Sequence, residues 1–330
     1  MNPPDNTVLE QLLRQAGSNS LWYVAENLAG FVPGAFAGQA ISNRLDIVRQ
    51  LQQHHIAARF DDFVLPQQRV DRIIWRISKE KAINLHLLHN APLQLADNGR
   101  LHVLGQRQEG IDSLYKYLQQ QHASVQRLKH KKGLYELQTG PASGTPDTHY
   151  HLLQPIDVDG LSLLSKPGVF GWNKVDAGSR LLVDHLPALD GQRVLDLGCG
   201  YGYLAVMAHR LGAACVDATD NNAAAIIACQ ANLAAAGSNG KVIAGDCGDA
   251  LAGPYDLVLC NPPFHQGFAH DTQLTRRFCQ AAARLLAPDG RALFVVNQFI
   301  GLEKAAAGLF ARCEPLAQQH GFRLLQLTKT

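Results

Sequence analysis

The 330-residue sequence predicts an α/β protein of two tandem domains, each a mostly parallel sheet flanked by helices, with an intact ligand site only in the second. Three observations predict it. Apolar runs of strand length alternate with helical patterns throughout the second half. A glycine-rich turn joins the first of those strands to the first of those helices. A strand-turn unit from the second half recurs, in the same order, in the first.

The second half sets the pattern. Val-Leu-Asp-Leu at 194–197 reads as a strand, followed by a helix from Tyr203, a strand at 215–219 and a helix at 222–235. Strands at 241–244 and 257–260, a helix at 272–286 and a strand at 292–296 continue it. Such alternation implies a parallel sheet covered on both faces. Phe-Arg-Leu-Leu-Gln-Leu at 322–327 supplies an edge strand, and Gly253, Pro254, Pro288 and Gly290 fall where turns belong. Ahead of this block, 151–154 and 161–164 read as a hairpin around Asp159 and Gly160.

In the first half, Leu-Ala-Asp-Asn-Gly-Arg at 95–100 parallels Leu-Ala-Pro-Asp-Gly-Arg at 286–291, and 71–76 lines up with 256–261. Chance similarity of two strand-turn units competes with duplication. Duplication is preferred because both pieces recur in order at similar separation. The Pro, Ser and Gly residues of 140–148 mark a linker, which gives domains 1–148 and 149–330.

Composition excludes several classes. A formal net charge of +2 with 18% charged residues gives no strong footprint for non-specific nucleic-acid binding. All seven cysteines lie at or beyond Cys199 and none forms a Cys-x-x-Cys pair, which argues against zinc and a disulfide framework. No basic stretch precedes an apolar one at the start, and no apolar run is long enough to span a membrane. The expectation is a cytoplasmic protein with no metal, no membrane association and no obligate protein partner.

Glycines 198, 200 and 202 let the backbone turn sharply and let a ligand approach the main chain. A dinucleotide fingerprint would need glycine at 203, where Tyr203 stands, so NAD and FAD are disfavoured. Asp196 precedes the turn and is placed to face a cationic group. Asp220 ends the second strand, where a carboxylate accepts ribose hydroxyls. Asp246 closes the third and is placed to meet an adenine amino group. Singly, each acid reads as a solvated loop residue; three at successive strand ends do not.

Asn261, Pro262, Pro263 and Phe264 follow the fourth strand. An amino group conjugated to a purine is a poor nucleophile. Two acceptors, the Asn261 side-chain oxygen and the Pro262 carbonyl, can take its two N–H bonds and aim its lone pair at a methyl donor. The prolines stiffen the strand end, and Phe264 can stack on the base.

Asp-Leu-Gly-x-Gly-x-Gly at 196–202 with Asn-Pro-Pro-Phe-His at 261–265 resembles the class I amino-methyltransferases, and in a two-domain chain it is similar to the methyltransferase-small family. The segment 167–182, with its Pro-Gly-Val-Phe and Asp-Ala-Gly-Ser, extends the resemblance over most of 160–300. Best known in that family are ribosomal RNA guanine-N2 methyltransferases. The resemblance implies two Rossmann-like class I domains, the second with a seven-stranded sheet and the first a degenerate copy. The implied cofactor is S-adenosylmethionine, and the implied partner is ribosomal RNA or a ribosomal subunit. Phe170, Asp176, Asp196, Gly198, Cys199, Gly200, Asp220, Asn221, Asp246, Cys247 and Asn261 would hold the cofactor, and Asn261 to Phe264 the target base. In the first domain Arg76, Ile77 and Ser78 stand where Asn-Pro-Pro would be, which implies a supporting role in RNA docking or folding.

Lesser signals weigh less. His265 reads first as a packing or surface residue, and Arg127, Lys129, His130, Lys131 and Lys132 as a solvated face. Residues 1–155 hold 16 Lys and Arg against 13 Asp and Glu, and the rest 14 against 15, a slight lean of phosphate binding toward the first domain. Cys199 and Cys260 lack a histidine in their sequence context and read as small fillers. Three functions compete: a guanine-N2 methyltransferase of ribosomal RNA, 16S ahead of 23S, a glutamine-amide methyltransferase, and a cofactor-binding protein without turnover; Phe264 in place of Tyr and the two-domain layout favour the first, and intact Asn261, Pro262 and Pro263 argue against the third.

Overall fold

The computed structural model describes residues 6–158, 160–263 and 272–329. The chain divides into two compact units, Met1–Leu152 and Leu153–Thr330. In the first, the elements are α1 (Thr7–Arg14), β1 (Ser20–Val24), β2 (Gln39–Ser42), α2 (Leu45–Gln53), β3 (Ala58–Phe60), β4 (Val70–Arg76), α3 (Lys81–Asn90), β5 (Leu95–Gln106), α4 (Ile111–Gln121), β6 (Val125–Lys129) and β7 (Leu134–Thr139). In the second they are β8 (Gln154–Val158), β9 (Leu161–Ser165), α5 (Ala177–Val183), β10 (Arg193–Leu197), α6 (Tyr203–Arg210), β11 (Cys215–Asp220), α7 (Ala223–Ala235), β12 (Val242–Ala244), β13 (Tyr255–Cys260), α8 (Thr272–Leu285), β14 (Leu286–Asn297), α9 (Leu302–Ala306), β15 (Arg312–Gln319) and β16 (Phe322–Thr328).

The two sheets share one topology. Their orders are β3-β2-β1-β4-β5-β7-β6 and β12-β11-β10-β13-β14-β16-β15, parallel except where the last two strands of each join antiparallel. Even the irregularities coincide. Val70 pairs with Leu95 and Arg72 with Arg100, while Tyr255 pairs with Leu286 and Leu257 with Arg291, so each pair carries a bulge at the same step. A Cβ on Gly99 would lie 3.0 Å from the Val70 carbonyl oxygen, and one on Gly290 would lie 2.9 Å from that of Tyr255. The repeated glycine is thus held by close approach of the neighbouring strand.

Central strands buried on both faces read as unbroken apolar runs. In the second unit Val194, Leu257, Leu259, Leu293 and Val295 face the cluster formed with α5, α6 and α7, while Leu195, Leu197, Val258, Cys260 and Phe294 face α8 and α9. In the first, Tyr23, Ile73 and Trp75 pack toward α3 and α4, and Trp22, Val24 and Ile74 toward α1 and α2.

Three sequence expectations are corrected. The run at 322–327 is not an edge strand: β16 pairs on both sides, and the edge is β15, whose mostly exposed Arg-Cys-Glu-Pro-Leu-Ala-Gln-Gln carries no apolar alternation. Pro288 and Gly290 lie inside the continuous β14, because the bulge absorbs them. The hairpin exists, but its first strand is 154–158; residues 149–151 form a 3-10 turn, and Asp159 of the expected turn lies outside the described residues. Residues 140–148 form no regular element, and Asn90 ties them to the first unit through Asp147. Among the described residues no helix is long and apolar enough to cross a membrane, and no group of three or more His, Cys, Asp or Glu is placed to hold a metal ion.

Candidate active site

Strand order reverses between β10, which leads outward to β11 and β12, and β13, which lies on its other side. Ligands of open α/β sheets bind at the carboxyl ends of strands at such a switch point. The turn after β10 is shaped for close approach. Gly198, Gly200 and Gly202 have φ of +86°, +53° and +86°, a region that L side chains rarely adopt. A Cβ on Gly202 would also lie 2.7 Å from Cys229 Sγ. The amides of Gly198 and Cys199 both donate to the Thr219 carbonyl, which fixes the turn against β11.

The acids sit at successive strand ends. Asp196 is fully buried; its Oδ2 accepts from the Ala205 amide at 3.0 Å, inside the first turn of α6. Its Oδ1 is shielded from solvent and has no hydrogen-bond partner among the described residues. Burial pushes Asp196 up to about 7, against the lowering effect of the Ala205 bond and with a further push from Asp220. Asp220 accepts from the Gly200 amide through Oδ2 at 3.0 Å and from the Asn222 amide through Oδ1 at 2.9 Å. Asn221 lies half-buried beside it. The Asp246 carboxylate accepts from Arg277 of α8, and the Asp246 amide donates to Asp249.

Cys199 and Cys260 are buried, and their thiols are held well above the ordinary value: Cys199 by its hydrogen bond with Cys229 and by burial, Cys260 by burial. Burial raises Cys247 to about 12. None is a thiolate at neutral pH, which leaves nucleophilic cysteine chemistry without a candidate here. What Cys199 offers the turn is its backbone.

The segment before α5 is tied to this turn. Asn222 Nδ2 donates to the Gly168 carbonyl at 2.8 Å, and Val169 Cγ1 packs near Gly200. Phe170, next in the chain, is 74% exposed. Asp176 caps α5, its Oδ2 accepting from the Ser179 amide at 3.0 Å. Asn261, just past β13, donates through Nδ2 to Asp176 Oδ2 and to Ser179 Oγ, both at 2.8 Å. Pro262 is buried and Pro263 exposed. Phe264 and His265 lie outside the described residues. The structure therefore brings the glycine turn, Asp196, Asp220, Asp246, Asp176 and Asn261 to one edge of one sheet.

Sequence reasoning missed Ser179, Asn222 and Arg277. Asn222 was legible as an N-cap, since its Oδ1 accepts from the Ala224 amide at the start of α7. Arg277 had no sequence signal. It also missed the loop after β14. Phe299 there is 75% exposed on a well-anchored turn: its amide donates to Asn297 Oδ1, the Gln298 amide to the Gly321 carbonyl, and Ile300 is buried.

A family model described as the methyltransferase small domain matches residues 160–326. The chain belongs to the methyltransferase small domain family. Its methyl donor is S-adenosylmethionine, and the fit is physical. The glycine turn leaves the main chain open, and the unpartnered buried oxygen of Asp196 lacks the cation that the donor's ammonium group would bring. Two relatives carry the name ribosomal RNA small subunit methyltransferase C. The one from Pseudomonas entomophila (strain L48) is 31% identical over 271 residues, 80% of this chain and 81% of that protein. The one from Pseudomonas aeruginosa (strain UCBPP-PA14) is 32% identical over 286 residues, 83% and 85%. A solved 16S rRNA N2 methyltransferase of T. thermophilus, in complex with AdoMet and guanosine, superposes with a TM-score of 0.86 at 22% identity, covering 100% of this chain and 92% of that one. Both tandem domains of this family member thus share that fold.

The described residues of the first unit hold no counterpart of this site. Arg76, the counterpart of Asn261, is buried and paired with Glu109 at 2.7 Å. Ser78 donates to Glu26 at 2.9 Å, and Asn84 takes bonds from Trp75 and the Ser78 amide, so side chains of the unit fill the corresponding strand ends.

Proposed function

We propose that the chain transfers a methyl group from S-adenosylmethionine to the exocyclic N2 of a guanine in 16S ribosomal RNA. The observation that carries the reading is Asn261-Pro262-Pro263 at the end of β13, across the switch point from the glycine turn of β10. The names of the relatives support the substrate.

When bound, S-adenosylmethionine supplies a methyl carbon on a positively charged sulfur, which accepts the amine's lone pair as the bond to sulfur breaks. Asn261 Oδ1 and the Pro262 carbonyl accept the two N–H bonds of the guanine amine and turn its lone pair toward that carbon. The proton that must leave is one of these two, so it is already directed at a protein oxygen, from which water takes it. Asp196 and Asp220 would hold the donor's ammonium group and ribose, and Asp246, with Phe170, would bound its base. Phe264 stacks on the guanine, which must be unpaired or turned out of its helix to reach the pocket. Exposed Phe299 favours a nucleobase over a protein amide, because it offers a ring face for stacking.

Tritiated methyl transfer to 30S particles, 50S particles, naked ribosomal RNAs and release-factor protein in parallel tests this reading. Label in 30S RNA, recovered as N2-methylguanine, is the expected result; label in 50S RNA or in a glutamine side chain would overturn it. Asn261→Ala should lower the rate on the order of 10²-fold or more with cofactor affinity held within a few fold, as for loss of one preorganised polar group.

A further inference from the structure

A carboxamide has two ends of nearly equal shape and opposite polarity. Only the oxygen of Asn261 can receive an amine N–H; turned by 180°, its NH2 would meet the substrate's NH2, donor against donor. Packing distinguishes the two poorly, so the hydrogen-bond network must fix the orientation.

The network here admits one answer. Asn261 has an oxygen of Asp176 at 2.8 Å and the Ser179 hydroxyl at 2.8 Å on the same terminal atom. A carboxylate only accepts, so that atom is nitrogen, and its two hydrogens are both engaged. The oxygen is thereby turned away from Asp176 and Ser179. Asp176 is itself held, because the oxygen that receives Asn261 also receives the Ser179 amide at 3.0 Å at the start of α5. That helix packs on β14 and β16. Gly178 permits this: a Cβ there would lie 2.9 Å from Phe322 Cδ1 and 3.0 Å from Asp176 Oδ2. Each polar residue of Asp176-Ala177-Gly178-Ser179 thus has a task directed at a residue 82 or 85 positions away.

We propose that Asp176 and Ser179 form a polarity latch that locks the Asn261 carboxamide with its oxygen toward the substrate amine. Asp176 is then a positioning residue, a task different from the cofactor contact that its sequence context implies. The proposal rests on the reading of Asn261 as the amine acceptor.

The test reverses the latch. Asn261→Asp alone sets two carboxylates within hydrogen-bond distance, which forces them to share a proton. Its single-turnover rate should fall 10²-fold or more at pH 8 and partly recover toward pH 6. Adding Asp176→Asn restores a donor-acceptor pair in the opposite sense, with Asn at 176 donating to Asp at 261, whose second oxygen accepts the amine; the Ser179 amide, which the same atom receives in the wild type, loses its acceptor. The double variant should exceed Asn261→Asp by about tenfold or more at pH 8 and lose the pH dependence, with a lowered thermal midpoint from the lost cap of α5. Asp176→Asn alone, whose amide oxygen keeps both bonds, should lose less than tenfold. Cofactor affinity and thermal midpoint are measured for each. A double variant no faster than Asn261→Asp, with cofactor affinity at its wild-type value, overturns the latch. Rates are followed on whichever substrate the wild type labels, so a wrong substrate leaves the rescue pattern readable. Absence of label on every substrate overturns the latch together with the amine reading.

Discussion

Asp196→Asn tests whether the buried acid is kept for the cofactor at the cost of stability. The substitution preserves shape and the acceptor for the Ala205 amide but removes the charge. In the folded protein burial raises Asp196 from 3.8 to about 7. A raised carboxyl contributes stability that is fully present below the unfolded value and lost as pH rises through the folded one. The difference of about 3.2 units corresponds to a full loss on the order of 4 kcal/mol, at 1.36 kcal/mol per unit. Between pH 5 and pH 8 about 2.5 kcal/mol of it should appear. The cofactor-free wild type should therefore become less stable than Asp196→Asn across this window by about that amount. Urea titrations read by hydrogen exchange on peptides from β10 and α6 isolate the second unit. Cofactor binding needs the ionised carboxylate, so wild-type affinity should weaken about tenfold per pH unit below 7, while the Asn variant binds weakly without that slope. A stability difference that is constant from pH 5 to 8, or wild-type affinity in the Asn variant, would refute the reasoning.

Other outcomes follow from the sequence and the structure. Phe264→Ala should weaken productive RNA binding about 5- to 150-fold, the equivalent of about 1 to 3 kcal/mol of stacking, with cofactor affinity unchanged and Phe264→Tyr near wild type; single-turnover methylation measures it. Phe299→Ala should act in the same direction and to a smaller extent, and an unchanged dependence of rate on RNA concentration would exclude Phe299 from the RNA path. In the first unit, burial raises Glu136, but hydrogen bonds from His102, Gln138 and His130 outweigh it and hold the carboxyl at about 2. A lowered carboxyl contributes stability above its unfolded value of 4.5 that is lost as pH falls toward 2. Glu136→Gln should be less stable at pH 6 and flatter between pH 4.5 and 2, checked by circular dichroism.

The parallel strands and the helices between them were legible because residues such as Val194, Leu195 and Leu197 are apolar on both faces, and because a turn with three positive-φ glycines has few alternatives. The duplication was legible from 95–100 and 286–291, where one backbone constraint operates twice. Strand β15 was not, since nearly all its side chains meet solvent and its membership rests on main-chain bonds to β16. The hairpin slipped for a related reason: His149 to His151 turn as a 3-10 segment, and period-two patterning does not reveal register in short strands. At the candidate site, the residue types at the strand ends were legible, while the Asn261 contact to Asp176 was not. It joins two loops far apart in sequence, and no local periodicity encodes it.

The matching bulges at Val70 to Arg72 and Tyr255 to Leu257 show which edge of a duplicated sheet is free to drift. Both lie toward the strands' amino ends, where a side chain on Gly99 or Gly290 would press on a neighbouring carbonyl whatever ligand the domain holds. At the carboxyl ends the copies have parted: Arg76 faces Glu109 in one, and Asn261 faces Asp176 and Ser179 in the other. Architecture is inherited along one rim and chemistry along the opposite rim. A domain of this kind can therefore lose its catalysis by substitutions confined to strand ends and the loops after them, with its scaffold unaltered, and a non-catalytic copy remains a sound support on which selection can build a different surface.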